Sequence, residues 1–472
     1  MSSGDAWSSS SNDALVLSLV APTPTGVKAL GHSFHPKFTY PIFGDSEEIF
    51  GYQDLQINLR YNASDMRPNL SISYSKKFSA VGDTEAADIN GILHDFLPEV
   101  AFQKKSEFET AIKNVPEDWT PPGALVTTFS TLDSTFEVWK GSLMDPAVKQ
   151  LVKRIQILVP LFIEGGSEIS VDDADSDRWT VFFLYQKRTP SGDSTRSPYV
   201  FAGYCTVYRF FHFRLPTTSP LQNPADLPLG GGDFDLSELP CRTRISQFVI
   251  IPPFQKKGLG PKLYSVIFEE YIKHKQTVEI TVEDPNEAFD DLRDIADLHY
   301  LRRLPEFQAL HINTSVVIPK TGPAPNNIVD KAAWDAARSK AKIAPRQFAR
   351  VLEMHLMSKL PEPVRPGILP DKSATKATKE QEHEYRLWRL MVKKRIYRHN
   401  KDALGQLEIP ERIERLEETV SNVGFDYARL LIKAEEQQKY LSAANGSTAN
   451  GKRKADEDGE VPVNKKARVE EE

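Results

Sequence analysis

The chain has 472 residues, enough for about three domains at roughly 150 residues each. Hydrophobic residues are 40% and charged residues 26%, so a core can form and wholesale disorder is excluded. The formal net charge is −6 and the isoelectric point near 6.0, which argues against a surface devoted to nucleic acid phosphates and leaves room for an acidic face toward a cationic partner.

Two cysteines, Cys205 and Cys241, make no disulfide framework, and their spacing matches no zinc pattern; a reduced intracellular compartment is the simple reading. No run approaches the ~18 apolar residues of a membrane span. Residues 1–25 are Ser/Pro/Thr-rich and read as a disordered start. The apolar Ala14 to Ala21 is short and lacks the basic lead of a signal peptide.

Residues 26–150 read as an α+β domain. Leu55 to Tyr61 and Leu70 to Tyr74 are strand-like, and Asp88 to Phe96 and Lys104 to Ile112 are helical. A second domain is expected over 151–312. Its strand signal starts with the apolar Ile155 to Ile163, broken by Pro160, and sharpens in Trp179 to Lys187 and Tyr199 to Phe213. Thr189 to Thr195 reads as a hairpin loop. Leu215 to Pro240, with five prolines and Gly230-Gly231-Gly232, reads as a surface excursion.

The best-defined stretch follows. Arg244 to Ile251 ends in four apolar residues and is stopped by Pro252-Pro253. A loop, Gln255-Lys256-Lys257-Gly258-Leu259-Gly260, leads to Pro261, which suits a first helical turn. Leu263, Val266, Ile267 and Tyr271 share a helical face, and Val278, Ile280 and Val282 alternate as a strand. This strand–loop–helix–strand order makes a β-α-β unit with parallel strands. Helices are expected over Asp330 to Lys342, Pro345 to Lys359, Glu380 to Arg398 and Pro410 to Tyr440, forming a helical region over 313–442. Residues 443–472 hold six Lys/Arg and seven Asp/Glu and read as a disordered tail. Lys452-Arg453-Lys454 and Lys465-Lys466-Ala467-Arg468 suggest a bipartite nuclear import signal.

A loop that opens a helix exposes unpaired N–H groups at the positive end of the helix dipole, where phosphates bind. Gly258 and Gly260 allow close approach, and Lys256, Lys257 and Lys262 add charge. No Gly-Lys-Ser/Thr follows, so this is not a P-loop, and Leu263 takes the third glycine position of the dinucleotide fingerprint. By spacing alone a plain turn is an equal reading.

The context resembles motif A of the GCN5-related N-acetyltransferases, in which Gln/Arg-x-x-Gly-x-Gly/Ala cradles the coenzyme A pyrophosphate. More closely, Arg244-Ile-Ser-Gln-Phe-Val-Ile-Ile-Pro-Pro-Phe-Gln-Lys-Lys-Gly-Leu-Gly and Glu283-Asp-Pro-Asn-Glu-Ala-Phe-Asp-Asp-Leu-Arg-Asp are similar to the catalytic subunits of type B histone acetyltransferases, of fungal kind. Weaker likeness extends to Phe43-Gly-Asp-Ser-Glu-Glu-Ile-Phe-Gly-Tyr and Gly203-Tyr-Cys-Thr-Val-Tyr. The resemblance implies a mixed twisted sheet flanked by helices, α+β in class, and acetyl transfer from acetyl-CoA to lysines of newly made histone H4. It implies that the backbone of Phe248, Val249 and Ile250 lines the thioester and pantetheine. Gln255, Lys256, Lys257, Gly258, Leu259, Gly260 and Pro261 hold the pyrophosphate, and Asn286 and Phe289 contact the cofactor from the other side. Glu283 is the implied general base and Asp284 the runner-up; no metal is implied. Asp45, Ser46 and Glu47, with Trp179, Tyr208, Arg209 and Phe210, are the implied peptide groove. A WD-repeat histone-binding subunit is the implied partner, with no nucleic acid or membrane contact, and cytoplasm and nucleus are the expected locations.

The chemistry asks for a base independently. A lysine amine has a pKa of about 10.4, so reaching its neutral form at pH 7 costs about 4.6 kcal/mol. A carboxylate at the amine lowers that cost, and Glu283 stands at a strand end, where such groups sit in open α/β sheets. Acidic residues are expected to face a cationic tail: Asp45, Glu47 and Glu48; Asp172, Asp173, Asp175 and Asp177; Asp290 and Asp291. Trp179 and Tyr208 can pack on a lysine stem, or belong to a core. Other chemistries read less well. Gly31-His32-Ser33-Phe34-His35 lacks the second glycine of a nucleophile elbow. Cys205 or Cys241 could carry an acetyl group, whereas the resembled family uses direct attack. A non-catalytic acidic histone-tail chaperone and a small-amine acetyltransferase remain as alternative functions.

Overall fold

The computed structural model describes residues 7–131, 133–188, 197–211, 239–320, 322, 324–367 and 376–453, with side chains up to 437 in the last range. The hairpin loop expected at 189–195, nearly all of the excursion expected over 215–240, and Lys454 onward in the tail lie outside the described residues. The chain forms two compact units. One holds residues 1–293 with 338–344, the other residues 294–337 with 345–472.

In the first unit the strands, in chain order, are β1 (Ser8–Ser10), β2 (Leu15–Thr23), β3 (Gly26–Ala29), β4 (Glu48–Phe50), β5 (Tyr52–Gln53), β6 (Gln56–Asn62), β7 (Pro68–Ser73), β8 (Lys76–Lys77), β9 (Ala124–Ser130), β10 (Thr135–Ser142), β11 (Trp179–Lys187), β12 (Tyr199–Phe211), β13 (Cys241–Ile250) and β14 (Thr277–Val282). A four-stranded sheet runs β3-β2-β6-β7 and a six-stranded sheet runs β14-β13-β12-β11-β10-β9. β1 pairs with β4 and β5 with β8.

The start of the chain corrects the expectation of a disordered segment. β2 is an inner strand of its sheet, parallel to β6 from Leu15↔Ile57 to Val20↔Asn62, with Leu15, Leu17, Leu19 and Val20 buried. Its apolar run is what a parallel strand buried on both faces needs. A second correction concerns the boundary at 150. β10 pairs with β11 and β9 with β10, so the large sheet begins at Ala124. The apolar Ile155 to Ile163 is helical rather than extended. Asp145 caps the helix Pro146–Ile155, accepting from the Ala147 N–H at 2.8 Å, and Val148, Leu151, Val152 and Ile155 face the core at helical spacing. Pro160 sits in the first turn of the helix Leu158–Phe162, where no N–H is needed.

The β-α-β unit stands as read: β13 and β14 are parallel and the helix Leu259–Lys273 joins them. The acids after β14 open a helix, Glu287–Leu301, to which the sequence reading assigned no element. Residues 338–344 return to the first unit, where the Ile280 N–H donates to the Lys342 carbonyl at 2.7 Å and Ile343 bridges Ile280.

The second unit is helical, with Pro345–Lys359, Lys379–His399 and Ile409–Arg453 as its long described helices. It starts at Asp294 rather than 313. The last helix carries backbone past 443, where a tail was expected; no proline interrupts the sequence between Pro410 and Pro462, so propagation continues. The unit's core holds a charge. Glu353, 1% exposed, accepts both oxygens' worth of bonds from Arg395 Nε at 2.9 and 2.8 Å and a further one from Tyr427 Oη at 3.0 Å. Burial still pushes its carboxyl above the ordinary range. Removing one partner of such a pair strands the other: Glu353→Ala should cost about 3 to 5 kcal/mol. Thermal and denaturant melts check this, and a loss under about 1 kcal/mol would show that Arg395 finds water or another acceptor.

Candidate active site

The site is built where two strands separate. β13 and β14 stay paired from Cys241↔Thr277 to Ile245↔Val282, and the Glu283 N–H still donates to the Ile245 carbonyl at 2.9 Å. β13 then runs on to Ile250, and among the described residues no strand pairs with its 246–250 edge on that side. Backbone N–H and C=O groups in a buried setting need partners. The wedge therefore leaves a strand edge on the side away from β12 at Phe248 and Ile250, whereas Val249 pairs with Tyr204 of β12.

A β-bulge shapes the same place. From Val207 to Cys205 the partner β12 advances two residues while β13 advances three, from Ile245 to Phe248. Ser246 and Gln247 absorb the extra residue. The Gln247 N–H donates to Thr206 Oγ1 at 3.0 Å, its Nε2 donates to the Ser167 carbonyl at 2.8 Å, and the Ser246 hydroxyl reaches Glu283 Oε2 at 2.5 Å. The other carboxylate oxygen, Oε1, accepts from Arg244 Nη1 at 3.2 Å.

The glycine loop follows Pro252–Phe254, a single 3₁₀ turn. Gln255 Nε2 folds back on the Ile250 carbonyl at 2.8 Å, and Lys257 Nζ donates to the Pro253 carbonyl at 2.7 Å. Lys256 at φ 59° and Gly258 at φ 74° adopt left-handed backbone, and Gly258 caps Leu259–Lys273. Such alternation turns successive N–H groups into an anion-binding concavity at the positive end of a helix. A Cβ on Gly258 would meet nothing within 4 Å, so conformation selects this glycine. A Cβ on Gly260 would come within 3.0 Å of Leu292 Cδ1, so close packing selects the other. Leu259 is buried and Pro261 lies in the first turn. Across the wedge, Asn286 Oδ1 accepts from the Phe289 N–H at 2.9 Å, and the Phe289 ring packs against Phe248 at 5.1 Å. Asp284, at φ 31°, makes the turn out of β14.

On the sheet, Trp179 lies opposite Tyr208 and Tyr208 opposite Arg244, so the three share a face. Trp179 and Tyr208 are 4.8 Å apart, Tyr208 and Phe210 4.6 Å, and the Arg244 guanidinium lies 4.2 Å from the Phe210 ring centre. The row of rings therefore leads to the Glu283 carboxylate. Tyr208 Oη donates to Asp175 Oδ2 at 2.8 Å, and Arg209 Nη2 donates to the Asp177 carbonyl at 3.0 Å.

Several expected substrate acids are engaged inside the protein. Glu47 Oε1 accepts from the Thr39 and Tyr40 N–H groups at 2.7 and 3.1 Å, and chiefly the Thr39 bond holds its carboxyl below the ordinary range. Glu47 thus shapes the loop that carries Asp45 and Ser46, both exposed. Tyr40 Oη in turn accepts from the Gly165 N–H at 2.8 Å, tying that loop to the segment before Ser167. Asp172 pairs with Lys149 and Lys153 at 3.2 and 2.8 Å. Cys205 and Cys241 are buried, and burial pushes the Cys205 thiol well above its ordinary range, so no thiolate is offered there.

The sequence reading named Arg244 and Ser246 only inside a motif; their contact with Glu283 depends on register and bulge. It passed over Glu168 entirely. That residue is exposed as a whole, yet desolvation of its carboxyl pushes it up to about 7. Its charge acts on the buried hydroxyls of Tyr61 and Tyr204, neither of which has a hydrogen-bond partner among the described residues.

A parallel pair that splays beside a glycine loop and a helix, inside a mixed sheet with antiparallel strands beyond, defines a GCN5-related N-acetyltransferase sheet. A family model described as "Histone acetyl transferase HAT1 N-terminus" matches residues 7–164, and one described as "Fungal HAT1, C-terminal" matches residues 318–361. The histone acetyltransferase type B catalytic subunit of Neurospora crassa is 57% identical over 97% of this chain and 96% of its own. That of Gibberella zeae is 52% identical over 98% of each. A solved aminoglycoside acetyltransferase from an uncultured soil sample is 12% identical over 40% of this chain and 95% of its own, with a TM-score of 0.19. The chain belongs to the family of type B histone acetyltransferase catalytic subunits.

The raised Glu168 carboxyl carries a pH signature. Its folded pKa of about 7 lies above the ordinary 4.5, so the folded state holds a proton that the unfolded state has released. Stability from this group is full below about pH 4.5 and falls as pH rises toward 7. Melting at pH 5 and pH 7.5 checks this: Glu168→Gln should gain relative to the parent at the higher pH. An equal difference at both pH values would mean the carboxyl is solvated.

Proposed function

We propose that this chain transfers the acetyl group of acetyl-CoA to lysine ε-amines of newly synthesised, non-nucleosomal histone H4, with Glu283 as general base. The observation that carries the reading is the Glu283 carboxylate, standing at the mouth of the β13–β14 wedge with the row Trp179, Tyr208 and Phe210 leading to it. The free 246–250 edge and the left-handed turn at Gly258 fit an extended pantetheine followed by a pyrophosphate. Phe248, Val249 and Ile250 would hold the former, Gln255 to Pro261 the latter, and Asn286 and Phe289 would close the far side. When bound, acetyl-CoA supplies an activated acetyl group.

The protein's own residues do the rest. The aromatic row covers the lysine's methylene stem and delivers its ammonium to the carboxylate. Glu283 takes the proton, directly or through one water, and so meets the cost of about 4.6 kcal/mol of reaching a neutral amine at pH 7. The Ser246 hydroxyl fixes the orientation of the accepting group. Asp284 is a poorer candidate, because its left-handed backbone already serves the turn. The loop carrying Asp45 and Ser46 borders the peptide path. A WD-repeat histone-binding subunit as partner, and passage between cytoplasm and nucleus on the C-terminal basic clusters, belong to the same reading. Among the described residues no helix is long and apolar enough to cross a membrane.

Calorimetric titration with acetyl-CoA, followed by an H4 tail peptide and mass spectrometry, tests the activity. Cofactor binding and a lysine-borne mass gain are expected. Tail binding without acetyl-CoA binding would replace the enzyme with a chaperone. Glu283→Gln should lower kcat about 10²- to 10⁴-fold with acetyl-CoA affinity kept. Unchanged kcat where chemistry limits the rate would remove Glu283 from the mechanism.

A further inference from the structure

The ammonium of a substrate lysine needs two things at this site: an acceptor for its N–H groups and an aromatic face beside it. Both are present, and a cation already has them. Arg244 lays its guanidinium 4.2 Å from the Phe210 ring centre and donates Nη1 to Glu283 Oε1 at 3.2 Å. We infer that Arg244 is a seat-holder: in the free protein its guanidinium occupies the position between Phe210 and Glu283 that the substrate ammonium takes, and it swings out when the lysine enters. The inference rests on the reading of Glu283 as the acceptor of the lysine proton.

Three observations support displacement rather than a permanent bond. Arg244 is tied loosely. Its side chain is 32% exposed and that of Glu283 42%, and among the described residues its recorded partners are Phe210 and Glu283. An exposed pair of this kind is weak and exchanges readily. Second, the arginine two residues earlier on the same strand has a buried partner instead. Arg242 Nε donates at 3.0 Å to Glu279, whose side chain is 9% exposed and lies 3.7 Å from a second arginine, Arg338. Third, both cations converge on one carboxylate. Ser246 holds Oε2 at 2.5 Å and the guanidinium holds Oε1, so an ammonium arriving along the aromatic row meets a like charge at the same oxygen.

The arrangement sets specificity. A side chain that displaces Arg244 must bring its own cation, or Glu283 loses its partner beside an aromatic wall. Lysine meets the condition; a neutral side chain of the same length does not.

The test measures peptide binding apart from turnover. In the presence of CoA, calorimetry reads the affinity of the enzyme for an H4 tail peptide whose acetylated lysine has been assigned by mass spectrometry. The same peptide with norleucine at that position is the control. Arg244→Gln should bind the lysine peptide about three- to ten-fold more tightly, the scale of one exposed ion pair with a cation–π contact. It should not tighten norleucine binding. Arg244→Lys, which keeps the charge but not the planar fork, should fall between and serves if the glutamine variant does not fold. A tenfold fall in kcat with unchanged lysine-peptide affinity would overturn the inference, making Arg244 a permanent orienter of Glu283. Equal tightening of both peptides, or no change in either, would also overturn it. Glu283→Gln measured alone separates the two readings. If it keeps kcat, the general-base reading falls, while the peptide affinities of the Arg244 variants still decide whether the seat is shared.

Discussion

Everything functional in the first unit depends on where two parallel strands stop bonding. β13 and β14 share a ladder only as far as Ile245 and Val282, and β13 continues alone to Ile250. An unpaired strand edge inside a sheet is ordinarily a defect, because its N–H and C=O groups need partners. Here it is held open. The bulge at Ser246 and Gln247 changes the direction of β13, Pro252 and Pro253 end it, and Phe289 packs against Phe248 across the opening. The separation also places the first residue after β14, Glu283, at the mouth of the opening with solvent access.

The bulge links this opening to the substrate side. One inserted residue turns Ser246 to Glu283 while Gln247 reaches Thr206 and the Ser167 carbonyl. The second contact matters because Gly165, two residues from Ser167, is bound to Tyr40, which sits in the turn that Glu47 closes. Hydrogen bonds on either side of the segment 165–167 thus link β13 to the Asp45 loop through residues far apart in sequence. These contacts give the N-terminal segment a structural stake in the geometry around Glu283.

What could be read from the residues follows the period of the signal. β11 matches its expected bounds at Trp179 and Lys187, and the helix Pro345–Lys359 matches at both ends, because a run of aromatic and β-branched residues marks the one and flanking prolines the other. The helix Glu287–Leu301 was missed because Asp290 and Asp291 in its first turns read as acids facing a cationic tail, although acids favour a helix start. β2 was missed because its partner β6 lies some forty residues on, and parallel pairing leaves no local mark. Within the site, the glycine loop and Glu283 carry a motif. The joining of Arg244, Phe210 and Glu283 does not, since it is fixed by cross-strand register and one bulge.

Charge explains why composition was a poor guide to the substrate face. A net charge of −6 suggests a carpet of acids for a basic tail. Yet Asp172 is neutralised by two lysines, Glu47 is turned onto backbone N–H groups, and Asp175 accepts from Tyr208. Each of these acids builds the surface instead of lying open on it. Asp175 fixes the Tyr208 ring, which in turn packs against Trp179 and Phe210. On the proposed function, recognition of a cationic peptide at this place would rest less on summed attraction, which salt screens within about 8 to 10 Å, than on one carboxylate reached along an aromatic wall. Such a site would read the shape and charge of a single side chain, as modification of one lysine in a tail crowded with basic residues requires.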